Sequence, residues 1–242
     1  MDAKLKELLD TVGYHGLVYR TGSKLTGVSN ANSDDDFYMF YVPTKFELLT
    51  KDTSRGKTLH GDGWEAKTFM VEHLFNLLRK TNPNVIEMFF AEPLYVSNDC
   101  KQLAELLYTN REKLVNLDRK HFVKSSYGML KSNIKRMTPD KEFNGEGSFG
   151  KEFYNFNKAF RYGLAVAEHR ELEPEVFVTG DKLDGLRKMK SQVEFSEEML
   201  ASLDVDGSLN TLDKLLDDMT DEQNEGLLHQ LTSVLPLAQG EE

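Results

Sequence analysis

The alternation of apolar and polar positions divides the chain into two unlike parts. Residues 3–12 place Leu5, Leu8 and Leu9 on one side of a 3.6-residue period, which predicts a short helix. Residues 16–20, Gly-Leu-Val-Tyr-Arg, are a short apolar run that predicts a buried strand. Thr21-Gly22-Ser23 closes it with a turn able to open a helix. A polar loop over 28–34 leads to a second strand at 36–42, rich in aromatic and branched residues and stopped by Pro43. Gly56, Gly61 and Gly63 mark 51–63 as loop, with a third strand near 63–67. From 68 onward the helical period takes over, with Phe69, Leu74, Phe75, Leu77 and Leu78 ahead of Asn82-Pro83 and a further helix at 83–90.

After about residue 100 every periodic segment reads as helix: 101–116, 119–136, 151–170, 184–190, 196–202, 209–219 and 222–232. The stretch 138–150 is rich in turn residues. Strands early and helices late predict an α+β fold, not an alternating doubly wound sheet. The expected organisation is an α/β core over 1–98 and a helical region over 99–242 with an acidic C-terminal cap. No repeat or low-complexity tract interrupts it.

Composition narrows the class. With 242 residues, 39% hydrophobic and 29% charged, the chain can bury a sizeable core and is not of disordered composition. No apolar run reaches the roughly 18 residues of a membrane span. The N-terminus lacks the apolar stretch of a secretory signal. A single cysteine, Cys100, excludes an internal disulfide and a thiolate metal cluster. Together these features favour a cytoplasmic protein with no membrane partner.

The net charge of −10 is unevenly spread. In residues 1–180 the 25 basic and 25 acidic groups cancel, whereas residues 181–242 hold 5 basic and 15 acidic groups. Only the tail would repel nucleic acid. Residues 111–136 carry eight Lys or Arg against Glu112 and Asp118, a net +6 that reads either as a solvated helix face or as a surface for phosphates.

The chemistry concentrates in residues 22–36, where Gly22-Ser23-Lys24-Leu25-Thr26-Gly27 is followed by Ser33-Asp34-Asp35-Asp36. Gly22 permits a sharp turn or the close approach of a ligand. Ser23 offers a hydroxyl and an N–H where a helix could begin, a setting that suits phosphate. On a strand, Asp34 and Asp36 would project from one face and Asp35 from the other. Two adjacent carboxylates repel unless a cation joins them, and an all-oxygen ligand set suits magnesium or manganese. A phosphate cradle beside such a pair is what nucleoside triphosphate chemistry requires.

This stretch resembles the fingerprint of the DNA polymerase beta superfamily of nucleotidyltransferases, GS followed by D-x-D. It is most similar to a group of these enzymes associated with RNA ligases. That group's G-S-x-x-x-G, S-D-x-D and V-P elements correspond to Gly22, Ser23, Gly27, Ser33, Asp34, Asp36 and Val42-Pro43. Its acidic residue before a helix running into N-P and E corresponds to Glu65, Asn82-Pro83 and Glu87, and its later basic helix to 158–169. The resemblance implies a small mixed β-sheet core and the transfer of a nucleoside monophosphate, AMP foremost, from an NTP to an acceptor hydroxyl such as an RNA end. Gly22 and Ser23 would hold the β- and γ-phosphates, and Asp34, Asp36 and Glu65 would bind two magnesium ions and form the catalytic carboxylates. Asp62 is the other candidate for the third carboxylate. Lys24, Lys158 and Arg161 are the further nucleotide-binding candidates. The chain departs from the group's pattern at Lys24–Thr26, where an Arg-aromatic pair is common, and at Phe160, where a His often precedes the Arg.

Two other readings stay open. One is a non-catalytic nucleotide- or RNA-binding protein on the same scaffold, and the other an interaction protein acting through its acidic C-terminal helices. Residues 145–150, GEGSFG, match G-x-G-x-x-G but follow no apolar strand, so they read as a flexible loop. The six histidines show no paired metal spacing, and Trp64 reads as a core residue.

Overall fold

A computed structural model describes residues 2–31, 33–50, 56–138, 148–221 and 223–235. Helix α1 (Ala3–Val12) starts at Asp2, whose side chain accepts from the Lys4 N–H, and it buries Leu5, Leu8, Leu9 and Val12. Strand β1 (Gly16–Thr21) runs directly into α2 (Gly22–Leu25). Strand β2 (Asp35–Tyr41) is followed by α3 (Lys45–Thr50), β3 (Thr58–Gly61) and β4 (Trp64–Met70). Helices α4 (Val71–Arg79) and α5 (Pro83–Met88) precede the two-residue strand β5 (Tyr95–Val96).

The sheet order is β3-β4-β2-β1-β5. β2 and β4 are parallel and every other pair is antiparallel. The fold is α+β, as the pattern predicts. The sheet is covered on both faces, and alternation sorts its side chains. Phe37, Met39, Tyr41, Trp64 and Ala66 pack on α1. Tyr19 and Phe40 face the main core, with Tyr38 and Phe69 packed against it.

That core is built from the helical region: α6 (Lys101–Thr109), α7 (Arg111–Val115), α8 (Arg119–Arg136), α9 (Phe149–Ala167), α10 (Gly180–Lys190), α11 (Glu197–Ala201), α12 (Val205–Asp218) and α13 (Glu225–Ser233). The long α8 and α9 lie antiparallel, since Arg136 reaches Glu152 at one end and Arg119 reaches the Val166 carbonyl at the other. They approach closely because Gly163 faces Ser126: a Cβ there would lie 2.9 Å from the serine Cβ. The leucines of the acidic tail turn inward. Leu212, Leu227, Leu228 and Leu231 are all buried in this same core.

Several boundaries differ from the sequence expectation. β3 lies inside the expected loop at 51–63, because its four residues alternate only between exposed and half-buried positions and bury nothing to mark them. β4 runs to Met70, so Phe69 belongs to a strand and the helix begins at Val71. The segment 101–116 breaks at Asn110. Of the turn-rich stretch 138–150, residues 139–147 lie outside the described residues. Ser148 caps α9 by accepting from the Lys151 N–H at 3.0 Å, so Phe149 and Gly150 are helical. No helix among the described residues is long and apolar enough to cross a membrane.

Candidate active site

The glycine–serine bend and the acidic pair meet because β1 and β2 are neighbours in register. Thr21 pairs with Asp36 across the antiparallel ladder, and Asp36 pairs with Glu65 across the parallel one. Gly22 has φ +65°, in the left-handed region. A Cβ on Gly22 would lie 2.0 Å from Asp36 Oδ2, so the absent side chain is the space the carboxylate occupies. Asp36 and Glu65 project toward the helical region, while Asp35 and Trp64 on either side point toward α1.

Asp36 is half-buried and its pKa lies above the ordinary carboxylate range. Burial is the first cause, and the charges of Glu65 and Asp34 add to it. Lys151 and Lys190 pull the other way. Asp34 stands just ahead of β2 and is exposed, close to Gly63 and to the Lys4 ammonium. Glu65 has His60 beside it, with Nδ1 3.6 Å from Oε2. Asp62 sits in the turn between β3 and β4. Among the described residues, no three His, Cys, Asp or Glu side chains converge as a preassembled metal cage. The chemistry of the donor set nonetheless fits a hard divalent cation: oxygen ligands only, mutually repelling, and one of them already pushed toward its neutral form.

The basic residues distribute themselves in a way the sequence does not disclose. Lys24 turns to the α1 side of the sheet and donates to Asp35 Oδ2 at 2.7 Å. Lys4 donates to the same oxygen at 3.0 Å, and Arg20 lies 3.8 Å from Oδ1. Burial alone would raise the Asp35 pKa, but the hydrogen bonds from Lys24 and Lys4 hold it below the ordinary range. Lys158 is buried and bound to Glu87 Oε2 at 2.8 Å, and Glu87 also accepts from the Tyr162 hydroxyl. Arg161 pairs with the buried Glu175. The structure thus brings Gly22, Ser23, Asp36 and Glu65 together with Asp34 at their edge. The ammonium groups of Lys24 and Lys158 and the guanidinium of Arg161 are each engaged by a carboxylate. Trp64 is a core residue, as expected, and donates to Glu7 Oε2 at 3.0 Å.

Two lysines near the site have no local sequence signal. α10 packs back on the loop after the bend: Arg187 Nε donates to the Gly27 carbonyl at 2.9 Å and Lys190 Nζ to the Val28 carbonyl at 3.3 Å. The Lys190 pKa is pushed down to about 8, first by burial and then by the charge of Lys151, while Asp36 opposes the shift. Lys151 sits in the first turn of α9. That turn is seated on α10 by the Gly150 N–H, which donates to the Gln192 carbonyl at 2.8 Å. A Cβ on Gly150 would come within 2.2 Å of the Met189 carbonyl, so this seat requires glycine. Both lysines lie more than a hundred residues from Asp36 in the chain, and only the tertiary fold brings their charges to it.

A family sequence profile described as the RNA repair pathway DNA polymerase beta family, RlaP, matches residues 3–177. The chain belongs to this family. The matched span contains the bend, all three carboxylates, His60 and Lys151. α10, with Arg187 and Lys190, lies beyond the RlaP match. Comparison with curated proteins finds no match to the chain. RlaP membership makes the chain a nucleotidyltransferase of the polymerase beta type with a connection to RNA repair.

Proposed function

We propose that the protein transfers a nucleoside monophosphate, AMP foremost, from an NTP to an acceptor hydroxyl at an RNA end and releases pyrophosphate. The observation that supports this most is the juxtaposition of Asp36 with Gly22 on one side and Glu65 on the other, within a chain of the RlaP family. Asp34, Asp36 and Glu65 would hold magnesium, which when bound neutralises charge on the transferred phosphate and acidifies the acceptor hydroxyl. The α2 backbone at Gly22 and Ser23 seats the β- and γ-phosphates, and Lys190 and Lys151 balance their charge from above. Glu65, with His60 at its back, takes the acceptor proton. The acceptor oxygen forms its bond to the α-phosphorus as the bond to the β-phosphate oxygen breaks, and no covalent enzyme intermediate is required.

Pyrophosphate release tests this, measured with magnesium and each NTP in turn, comparing wild type with the Asp34→Ala, Asp36→Ala double variant. The expected result is loss of release in the variant by at least ~10³-fold, the scale on which a charge-stabilising group contributes. Equal rates would remove the assigned site. The rival reading, a non-catalytic nucleotide- or RNA-binding protein, draws on the lack of a preassembled cage among the described residues. It predicts NTP binding that is indifferent to magnesium.

A further inference from the structure

The charge of the net +6 segment divides in the structure into groups tied to carboxylates or carbonyls and groups that are not, one of which, Lys131, lies 4.2 Å from the Tyr127 ring centroid. α8 contains no acidic residue. Three of its six Lys and Arg residues are tied to the protein. Arg119 donates to the carbonyls of Val166 and Ala167, Lys120 lies 3.7 Å from Asp221, and Arg136 holds Glu152 at 2.8 Å. The other three, Lys124, Lys131 and Lys135, are exposed and have no carboxylate partner among the described residues. At 100° per residue they share one face with His121, Ser125 and Gly128. A Cβ on Gly128 would meet nothing within 4 Å, so this face is open.

The same face enters a cavity of about 380 Å³, within the roughly 300–1,000 Å³ range of small-ligand sites. His121 and Ser125 of α8 line it together with Lys80, Asn82 and Asn84 and the apolar Leu77 and Val85. Tyr38 also lines it, two residues after Asp36 on β2 and therefore on the same sheet face, about 7 Å along the strand. Lys67 stands 5.9 Å from the Tyr38 ring centroid. An aromatic ring and aliphatic side chains beside amides, an imidazole and a hydroxyl suit an unpaired base, since stacking and edge hydrogen bonds are how single strands are read. From this cavity the lysine face runs about 21 Å along α8, to the end that packs against the start of α9. There Lys151 stands in the first turn of α9, where its charge acts on Asp36.

We infer that α8 and the Tyr38 cavity form a track for a single-stranded RNA acceptor, with an unpaired base seated on Tyr38 and the backbone phosphates along Lys124, Lys131 and Lys135. The argument is charge complementarity joined to a base-sized cavity, apolar with a few polar edge groups, on the sheet face that carries the acids. A duplex fits it poorly, because its bases are not free to enter the cavity. The inference deepens the nucleotidyl-transfer reading and rests on it for the word acceptor, but the track itself is a binding surface that can be measured without catalysis.

The test is fluorescence anisotropy of a labelled ten-nucleotide single-stranded RNA against the full chain, without NTP or magnesium, across a salt series. Parallel arms use single-stranded DNA and a duplex RNA of the same length. The triple variant Lys124→Gln, Lys131→Gln, Lys135→Gln is expected to lower the slope of log K against log salt by about 2, at roughly 0.7 per phosphate contact on a single strand. A charge-matched control, Lys101→Gln, Lys113→Gln, Lys214→Gln, should leave the slope in place. Tyr38→Leu should weaken binding roughly 5- to 150-fold with an unchanged slope, the range for one lost stacking contact. Thermal unfolding of each variant verifies that the fold is intact. Equal slopes for the triple variant and wild type, equal loss in the control, or duplex binding as tight as single-strand binding would overturn the track. Single-stranded DNA binding tighter than RNA would overturn the RNA assignment. Because no turnover is measured, failure here is distinct from failure of the Asp34/Asp36 test, and either result can stand without the other.

Discussion

At residue scale, the site is organised around one carboxylate in an unfavourable place. Asp36 is kept half-buried beside Glu65 and Asp34. Its pKa in the folded protein exceeds the unfolded value of 3.8, so the folded state binds that proton more tightly. The stability this confers is complete below pH 3.8 and is lost as pH rises through the folded value. Asp36→Asn removes the ionisation, so the variant is expected to be inactive yet to melt higher than wild type at neutral pH. Its advantage over wild type should shrink toward pH 4. Thermal unfolding from pH 4 to 8 measures this, and a variant that melts lower than wild type at pH 7 contradicts it. Gly22→Ala acts on the same carboxylate from the other side. The left-handed backbone costs about 1–2 kcal/mol in an alanine, and the new methyl displaces Asp36. Pyrophosphate release should fall about 100-fold or more, the scale of a misplacement of about 1 Å.

At the scale of elements, the position of the site follows from strand register and from what fastens helices to the sheet. Glu87 on α5 holds Lys158 and Tyr162 on α9, a buried polar link between the sheet-side helices and the helical region. Lys158→Met leaves the buried Glu87 with the Tyr162 hydroxyl but without its cation, and it should destabilise the fold by about 3–5 kcal/mol, or roughly 6–20 °C. A nucleotide-binding lysine would instead raise the KM for NTP with little change in melting temperature, so the two measurements together assign the residue. Much of this scale was readable in advance. α1 and α8 match their predicted spans, because both combine a clear period with an N-cap aspartate. The bend and the acidic pair were readable because they are contiguous in the chain. The cation assignments were not, because a lysine near a phosphate turn and a lysine near a buried aspartate look alike until the sheet shows which face each one takes. β3 and β5 escaped notice because neither carries an alternating apolar pattern.

At the scale of the molecule, the acidic tail is part of the core. Leu212, Leu227, Leu228 and Leu231 contribute about 1.5–3 kcal/mol each by burial, together comparable with the ~5–15 kcal/mol that holds an average domain folded. A chain truncated after Ser202 should therefore lose its cooperative thermal transition. A sharp unfolding curve from that fragment would show that the tail is dispensable. Its surface acids are a separate matter, since they are carried on helices whose apolar sides are already occupied.

The contact between Arg187 and the Gly27 carbonyl also has a consequence for timing. Synthesis proceeds from the N-terminus, so the bend and all three acids leave the ribosome long before α10 does. A nascent chain therefore holds every residue of the family fingerprint while its loop is still unfastened and its Lys190 has yet to be made. Ribosome-bound chains stalled before α10 emerges should show no NTP turnover, and turnover is expected only once α12 and α13 have also emerged and their leucines can complete the core.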